Sequence, residues 1–79
     1  DWVLAREDEW IPIEVKWTDR PTASDARHLS TFLAEYPKRA KHGYVVSRSD
    51  RTFKLAENVT ALPWKKLGDS LQRASEDRS

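Results

Sequence analysis

Two charged residues, Glu14 and Lys16, lie two positions apart inside an apolar stretch that runs from Ile11 to Trp17. Successive side chains of a β-strand point to opposite faces of a sheet, so Glu14 and Lys16 would share one face while the apolar side chains share the other. A carboxylate can hold a divalent cation, and a neighbouring amine can offset negative charge on a phosphoryl group. The pair is therefore a candidate for phosphodiester chemistry, and a solvated, salt-bridged face of the sheet would explain the same pattern.

Asp1 joins this pair if the chain opens with a β-hairpin. Pairing residues 2 to 5 with residues 10 to 17 around a turn centred after residue 7 sets residues whose numbers add up to fifteen opposite each other, so Asp1 faces Glu14. Directly opposed side chains lie about 5 Å apart between their Cβ atoms. A one-residue slip would mix the apolar side chains with the charged ones, and the hydrophobic pattern therefore favours this register.

The periodicity of apolar residues predicts the elements that would position the site. The first is a hairpin with a four-residue loop at 6 to 9. An amphipathic helix follows a capping signal at Thr22 and Asp25 and ends at Pro37. After it come a buried strand at 44 to 47, two weak edge strands at 52 to 56 and 59 to 62, and a last helix from Trp64 to about Ala74 whose first turn contains Pro63. The crossover of about two dozen residues before the third strand is long enough for a parallel connection to the second.

Composition sets wider bounds on the chain. Its 79 residues allow one small domain, which we place at residues 1 to 74 with a polar tail at 75 to 79. It contains no Met and begins at Asp1, so we interpret it as a fragment of a longer protein. The lack of Cys is compatible with a cytoplasmic location, and no apolar run is long enough for a membrane span.

Charge is distributed unevenly along the chain. Residues 1 to 37 carry eight acidic and four basic side chains, a balance of −4, whereas residues 38 to 66 carry two acidic and eight basic ones, a balance of +6. A basic surface beside a cation-binding carboxylate pair would suit a nucleic acid backbone. The candidate phosphate contacts are Lys38, Arg39, Lys41, His42, Arg48, Arg51 and Lys54, and solubility alone would also explain them.

The remaining polar and aromatic residues favour simpler interpretations. His28 and His42 do not have metal-ligand spacing, so we expect both to be solvated. Three tryptophans, Trp2, Trp17 and Trp64, are expected in the core, whereas Trp10 beside the hairpin loop would be freer to stack on a base or a partner.

Several segments together resemble a known family. Asp1-Trp-Val-Leu, Pro12-Ile-Glu-Val-Lys16, a helix ending in Tyr36-Pro37, Gly43-Tyr-Val-Val46 and Ala61-Leu-Pro-Trp64 are similar to the C-terminal domain of unknown function carried by many prokaryotic AAA-type ATPases. The Asp followed by a Glu-x-Lys strand also resembles the PD-(D/E)XK nuclease-like fold. The resemblance implies an α+β, restriction-endonuclease-like core that lacks its first helix and strand here.

That resemblance implies a metal site and a set of partners. Asp1 and Glu14 would bind Mg²⁺ or Mn²⁺, and Lys16 would assist the nucleophile, with nucleic acid contacted by Lys38, Arg39, Lys41, Arg48 and Arg51. The fragment alone is expected to be inactive. The expected partners are the ATPase portion of the same protein, nucleic acid, and a second copy paired through an exposed strand edge.

Other functions stay open at this point. The same fold could bind nucleic acid or protein without cleaving, or could serve only for dimerisation. The chain is not expected to bind ATP itself, because a phosphate loop needs a Gly-rich run ending in Gly-Lys and the only glycines are Gly43 and Gly68.

Overall fold

A computed structural model describes residues 2 to 68 of the chain. Its elements are β1 Trp2–Arg6, β2 Glu9–Val15, a 3-10 turn Ala23–Ala26, α1 Arg27–Glu35, β3 Gly43–Ser47, β4 Phe53–Ala56, β5 Val59–Pro63 and a second 3-10 turn Trp64–Lys66. The strands form one five-stranded sheet in the order β1-β2-β3-β5-β4. The predicted mixed α+β class is confirmed.

The hairpin has the predicted register. Trp2 pairs with Ile13 and Leu4 with Ile11, so the numbers of opposed residues add up to fifteen. The four-residue loop is wrong, because β1 and β2 pair as far as Arg6 and Glu9 and leave a two-residue turn. Glu7 takes a positive φ of 52° to close that turn without a glycine.

The crossover to β3 is parallel, as predicted, and carries α1 onto one face of the sheet. β2 pairs with β3 through Ile13 and Tyr44, and through Glu14 and Val45. Asp25 Oδ2 accepts a hydrogen bond from the backbone N–H of Thr22 at 2.8 Å, which is one half of the predicted capping box. The 3-10 turn that this contact starts leads directly into α1.

Helix α1 and the sheet enclose the larger of two core clusters. Leu29 of α1 packs with Val45 of β3 and Val59 of β5 on the face that also carries Glu14. Gly43 lies close to β2 on this face, because a Cβ there would lie 3.3 Å from Cγ of Pro12. The second cluster lies on the opposite face and contains Ile11, Ile13 and Val46.

Two predictions about the C-terminal half need correction. β5 is not an edge strand, since it lies between β3 and β4 and its Val59, Ala61 and Leu62 are buried. Pro63 is the last residue of β5, where its missing N–H costs no helical hydrogen bond, and the 3-10 turn begins after it. The rest of the predicted last helix, and the tail at 75 to 79, lie outside the described residues.

The tryptophans do not form the expected core. Trp2 and Trp17 are each 58% exposed and Trp64 is 50% exposed. The rings of Trp17 and Trp64 pack against each other at 6.1 Å between centroids. Trp10, expected to be free, instead packs against Tyr36 of the loop after α1 at 5.2 Å and against Phe32 of α1. Trp2, Trp17 and Trp64 are thus largely exposed, although they were expected in the core.

Candidate functional site

The carboxylate of Glu14 is buried between β2 and α1. Its side chain is 4% exposed, so the face is not solvated at this residue, although the salt bridge of that simpler interpretation is present. Strand alternation places Glu14 on the same face as Val45 of β3, and that face is covered by α1. Glu14 lines a cavity of about 170 Å³ together with Pro12, His28 and Phe32.

Each oxygen of this carboxylate has a nitrogen partner. Oε1 lies 3.3 Å from Nδ1 of His28, in the first turn of α1, and Oε2 lies 3.7 Å from Nζ of Lys16. The side chains of Lys16 and His28 are 43% and 78% exposed, so both reach from the buried carboxylate into solvent. A buried carboxylate needs such partners, because leaving one uncompensated in the interior is costly.

The backbone holds Lys16 in place although β2 ends one residue before it. The N–H of Lys16 donates to the carbonyl oxygen of Val46 at 2.9 Å, which extends the parallel ladder beyond the strand. Glu14 and Lys16 therefore lie on one face at the carboxyl end of a parallel strand. Open parallel sheets commonly bind their ligands at this end.

The predicted partner Asp1 lies outside the described residues, and its position opposite Glu14 remains a prediction. Sequence reasoning missed His28, which it left as a solvated histidine on the polar side of the helix. The contact with Glu14 depends on how α1 is rotated over the sheet, and periodicity alone does not give that rotation. The signal available was the position of His28 in the first turn of a helix that returns over β2.

The donor atoms of this site can be compared with the needs of a divalent cation. Mg²⁺ is typically held by one or two carboxylates together with waters and substrate phosphates. Glu14 supplies one such carboxylate, and within residues 2 to 68 no group of three His, Cys, Asp or Glu side chains could hold a metal ion. The described donors therefore fit a lightly coordinated hard cation and do not fit a zinc site, which takes three or four protein ligands.

The predicted nucleic acid contacts fall at two ends of the sheet. Lys38, Arg39 and Lys41 precede β3, and Arg48 and Arg51 follow it. The first group lines a cavity of about 190 Å³ with two acidic residues of the β1-β2 hairpin. These carboxylates offset much of the positive charge there.

The other end of the sheet has a larger cavity of about 570 Å³. It is lined by residues that follow β2 and by residues that follow β3, namely Asp19, Arg20, Pro21, Arg48, Ser49, Asp50, Arg51 and Phe53. We call it the arginine cavity. Arg48 pairs with Asp19 through Nε and Oδ1 at 3.3 Å and covers the ring of Trp17 at 5.8 Å.

Two serines fix the loop that forms one wall of the arginine cavity. Ser47 is fully buried and Ser49 is 7% exposed. Ser47 Oγ donates to Ser49 Oγ at 3.0 Å, and Ser49 Oγ donates to the carbonyl oxygen of Arg51 at 3.1 Å. The N–H of Arg48 also donates to the carbonyl oxygen of Thr18 at 2.9 Å, which ties the two walls together.

His42, the second histidine, lies at the opposite end of the sheet from this cavity. Its Nε2 lies 2.7 Å from Oγ1 of Thr60, and its ring packs against Tyr44. Burial lowers the pKa of His42 below its ordinary value of 6.5. Burial, and then the negative charge of Glu9, raise the pKa of Tyr44. His42 is thus a half-buried structural residue and not the solvated one expected.

Comparison with known families now adds to this geometry. The family model described as a domain of unknown function, DUF4143, matches residues 1–67. The chain belongs to the DUF4143 family. The match covers β1 through the second 3-10 turn, and so includes Glu14, Lys16, His28 and the arginine cavity. No curated protein and no solved structure gave a significant match.

Membership in DUF4143 supports the part of the resemblance that concerned a domain of unknown function. It carries no assigned chemistry, so the nuclease-like and ATPase-linked interpretations rest on the residues quoted above. No helix within residues 2 to 68 has the length and apolar character needed to cross a bilayer.

Proposed function

We propose that this DUF4143 domain is a divalent-metal-dependent phosphodiester hydrolase module acting on nucleic acid. The observation that carries the proposal is the buried carboxylate of Glu14, which has Lys16 on one oxygen and His28 on the other. A charged side chain buried under a helix costs stability, and sites with this cost are often functional. The similarity of the Glu-x-Lys strand to the PD-(D/E)XK nuclease-like fold gives the same assignment.

The residues of the chain have distinct roles in this proposal. Glu14 would hold Mg²⁺ or Mn²⁺, with Asp1 as the second carboxylate. When bound, such a cation lowers the pKa of a water and polarises a phosphoryl oxygen. Lys16 is half-exposed, so its ammonium group can leave Oε2 of Glu14 and donate to an oxygen of the scissile phosphate.

His28 would act as a positioning residue in this site. Its Nδ1 contacts the carboxylate of Glu14 at 3.3 Å, while most of its ring faces solvent. This contact fixes one rotamer of the carboxylate, and a metal-binding carboxylate is usually held by such a neighbour. The helix α1 then serves to cover the carboxylate and exclude water from one side of it.

A binding module without cleavage is the second candidate, and two observations favour it. Glu14 is the one carboxylate that the described residues place in this site, and both of its oxygens already have protein partners. The arginine cavity also provides positive charge that needs no metal. The resemblance to the C-terminal domain of AAA-type ATPases would, in either case, make the ATPase portion of the same protein its partner.

A nicking assay separates the two candidates. The protein that carries this domain is incubated with supercoiled DNA or structured RNA and Mg²⁺ or Mn²⁺, as wild type and as Glu14→Gln, with Glu57→Gln as the matched control. Glu57 is a suitable control because it is exposed and its ion pair with Lys54 is a surface contact. We expect cleavage to fall about a hundredfold or more in Glu14→Gln and to be unchanged in Glu57→Gln.

Two results would contradict the hydrolase. Equal cleavage by wild type and Glu14→Gln would remove Glu14 from the chemistry. Metal-independent binding without cleavage by either protein would instead support the binding module.

A further inference from the structure

The arginine cavity has features of a binding site that Glu14, Lys16 and His28 do not explain. It lies at the carboxyl ends of the parallel strands β2 and β3, the usual place for ligands in an open sheet. Its volume of about 570 Å³ is within the range of small-molecule sites. The walls are tied together by the hydrogen bond from Arg48 to Thr18, so the cavity is formed without a ligand.

The charge of the cavity favours an anion. Three arginines and two aspartates line it, and one aspartate is already paired with Arg48. Within residues 2 to 68, Arg20 and Arg51 have no ion pair with a carboxylate. Arg51 instead lies over the ring of Phe53 at 5.5 Å, which holds its guanidinium near the cavity. Guanidinium groups match phosphate oxygens well, because their N–H donors can bind in pairs.

The size of the cavity and the two apolar residues in its lining indicate more than a single phosphate group. A phosphate occupies only part of such a volume, and the rest is bounded by Phe53 and Pro21. An aromatic ring of this kind can stack on a base or pack against a sugar. A nucleotide unit would fill the cavity, with its phosphate at Arg20 and Arg51 and its base or sugar at Phe53.

We infer that the arginine cavity binds one nucleotide unit of a nucleic acid strand through its phosphate. This inference rests on the proposed function, because that function is the reason for taking a nucleic acid strand as the substrate. The other basic group, Lys38 to Lys41, is a poorer candidate, since the acidic residues of the β1-β2 hairpin share its cavity. The nucleic acid would be held at the carboxyl end of β2, the β-strand that also carries Glu14.

The test uses the whole chain in EDTA, so that binding is measured without metal or cleavage. Thymidine 5′-monophosphate and a short oligothymidylate are titrated, and backbone amide shifts are followed by NMR. We expect the largest shifts at residues 18 to 20 and 48 to 51, with the oligothymidylate binding at least as tightly as the mononucleotide. The variant pair Arg20→Gln and Arg51→Gln should together weaken both affinities about tenfold or more.

A remote charge control and a comparison with the nicking assay make the result decisive. Arg6→Gln removes one positive charge at the hairpin, at the far end of the sheet, and should change affinity less than about twofold. Binding by the wild type in EDTA, together with absent nicking by the wild type in Mg²⁺ or Mn²⁺, would support this site while contradicting the hydrolase.

Three outcomes would overturn the inference. The first is an absence of shifts at residues 18 to 20 and 48 to 51 when either ligand is added. The second is an equal loss of affinity in Arg6→Gln and in the double variant, which would mean that general charge attracts the ligand. The third is weaker binding of the oligothymidylate than of the mononucleotide, which would contradict a strand as the ligand.

Discussion

At the scale of single residues, Glu14 is the unusual member of an otherwise apolar interface. Its neighbours Leu29 and Phe32 on α1, and Val45 on β3, are apolar, and within residues 2 to 68 the carboxylate is paired with Lys16 and His28. A buried ion pair of this kind often contributes no net stability compared with an apolar side chain of similar volume. Stability alone therefore does not account for a carboxylate at this position.

The substitution Glu14→Leu tests that point. Lys16 and His28 are exposed enough to regain water when the carboxylate is removed, and Leu would pack against Leu29. We expect the free energy of unfolding, measured in urea, to stay within about 1 kcal/mol of wild type or to rise. Ile13→Ala, in the opposite core cluster, should cost about 2 to 5 kcal/mol in the same assay. A loss for Glu14→Leu as large as that for Ile13→Ala would mean that Glu14 is mainly structural.

His42 gives a pH dependence that can be separated from the site. Its pKa is lowered by burial, so the folded chain keeps the ring neutral at pH values where the unfolded chain takes up a proton. The stability that this contributes is complete above about pH 6.5 and is lost as the pH falls through the folded pKa.

The measurement is urea unfolding of wild type and His42→Gln at about pH 7.5 and about pH 5.5, which span the usual histidine range. The drop in unfolding free energy on acidification should be smaller in His42→Gln. Equal drops in the two proteins would show that His42 does not titrate differently in the folded and unfolded chains.

At the scale of elements, the sequence predicted the pairing of the strands better than it predicted which face of the sheet the helix covers. The hairpin register could be counted because only one register keeps Leu4 and Ile11 opposed and separate from the charges. The alternating pattern could not show which face α1 covers, since both faces of β2 carry apolar neighbours on β3. The helix lies on the face with Gly43 and Val45, where small side chains leave room for it. Glu14 is buried for that reason.

Gly43 therefore has an element-scale role that a substitution can test. In Gly43→Ala the new Cβ would lie 3.3 Å from Pro12 Cγ and 3.4 Å from the Pro12 carbonyl oxygen, so Pro12 of β2 would have to shift by a few tenths of an ångström. We expect a loss of about 1 to 3 kcal/mol in the free energy of unfolding. Gly68→Ala is the matched control, because nothing lies within 4 Å of its added Cβ, and it should be neutral or slightly stabilising. Equal effects of the two substitutions would contradict close packing of Pro12 against Gly43.

At the scale of the whole molecule, the sheet places two kinds of chemistry near one end. The carboxylate of Glu14 lies under α1 toward the carboxyl end of β2, and the arginine cavity follows the same strand. The predicted continuous basic surface is divided between the two ends of the sheet, because β3 separates Lys41 from Arg48. Lys41 and Arg48 are close in sequence, but they lie at opposite ends of β3 and so at opposite ends of the sheet. The shared face of Glu14 and Lys16 could be predicted from strand alternation and pairing. The contact of His28 on α1 with Glu14 could not.

The edge of the sheet leaves the predicted self-association open to experiment. β1 is one of the two outer strands of the sheet formed by residues 2 to 68, and an unpaired edge can accept a second chain. Dimerisation through it remains a prediction. Glu14 itself lies on β2 and not on this edge strand.

A metal site at Glu14 is tested most directly by titrating Mn²⁺ into the chain while the backbone amides are followed by NMR. We expect paramagnetic broadening to begin at millimolar metal or below at the amides of Glu14, Lys16 and His28, and we expect Glu14→Gln to abolish it at these positions. Broadening that is equal in Glu14→Gln, or that is absent from this part of β2 and α1, would contradict a metal site at Glu14.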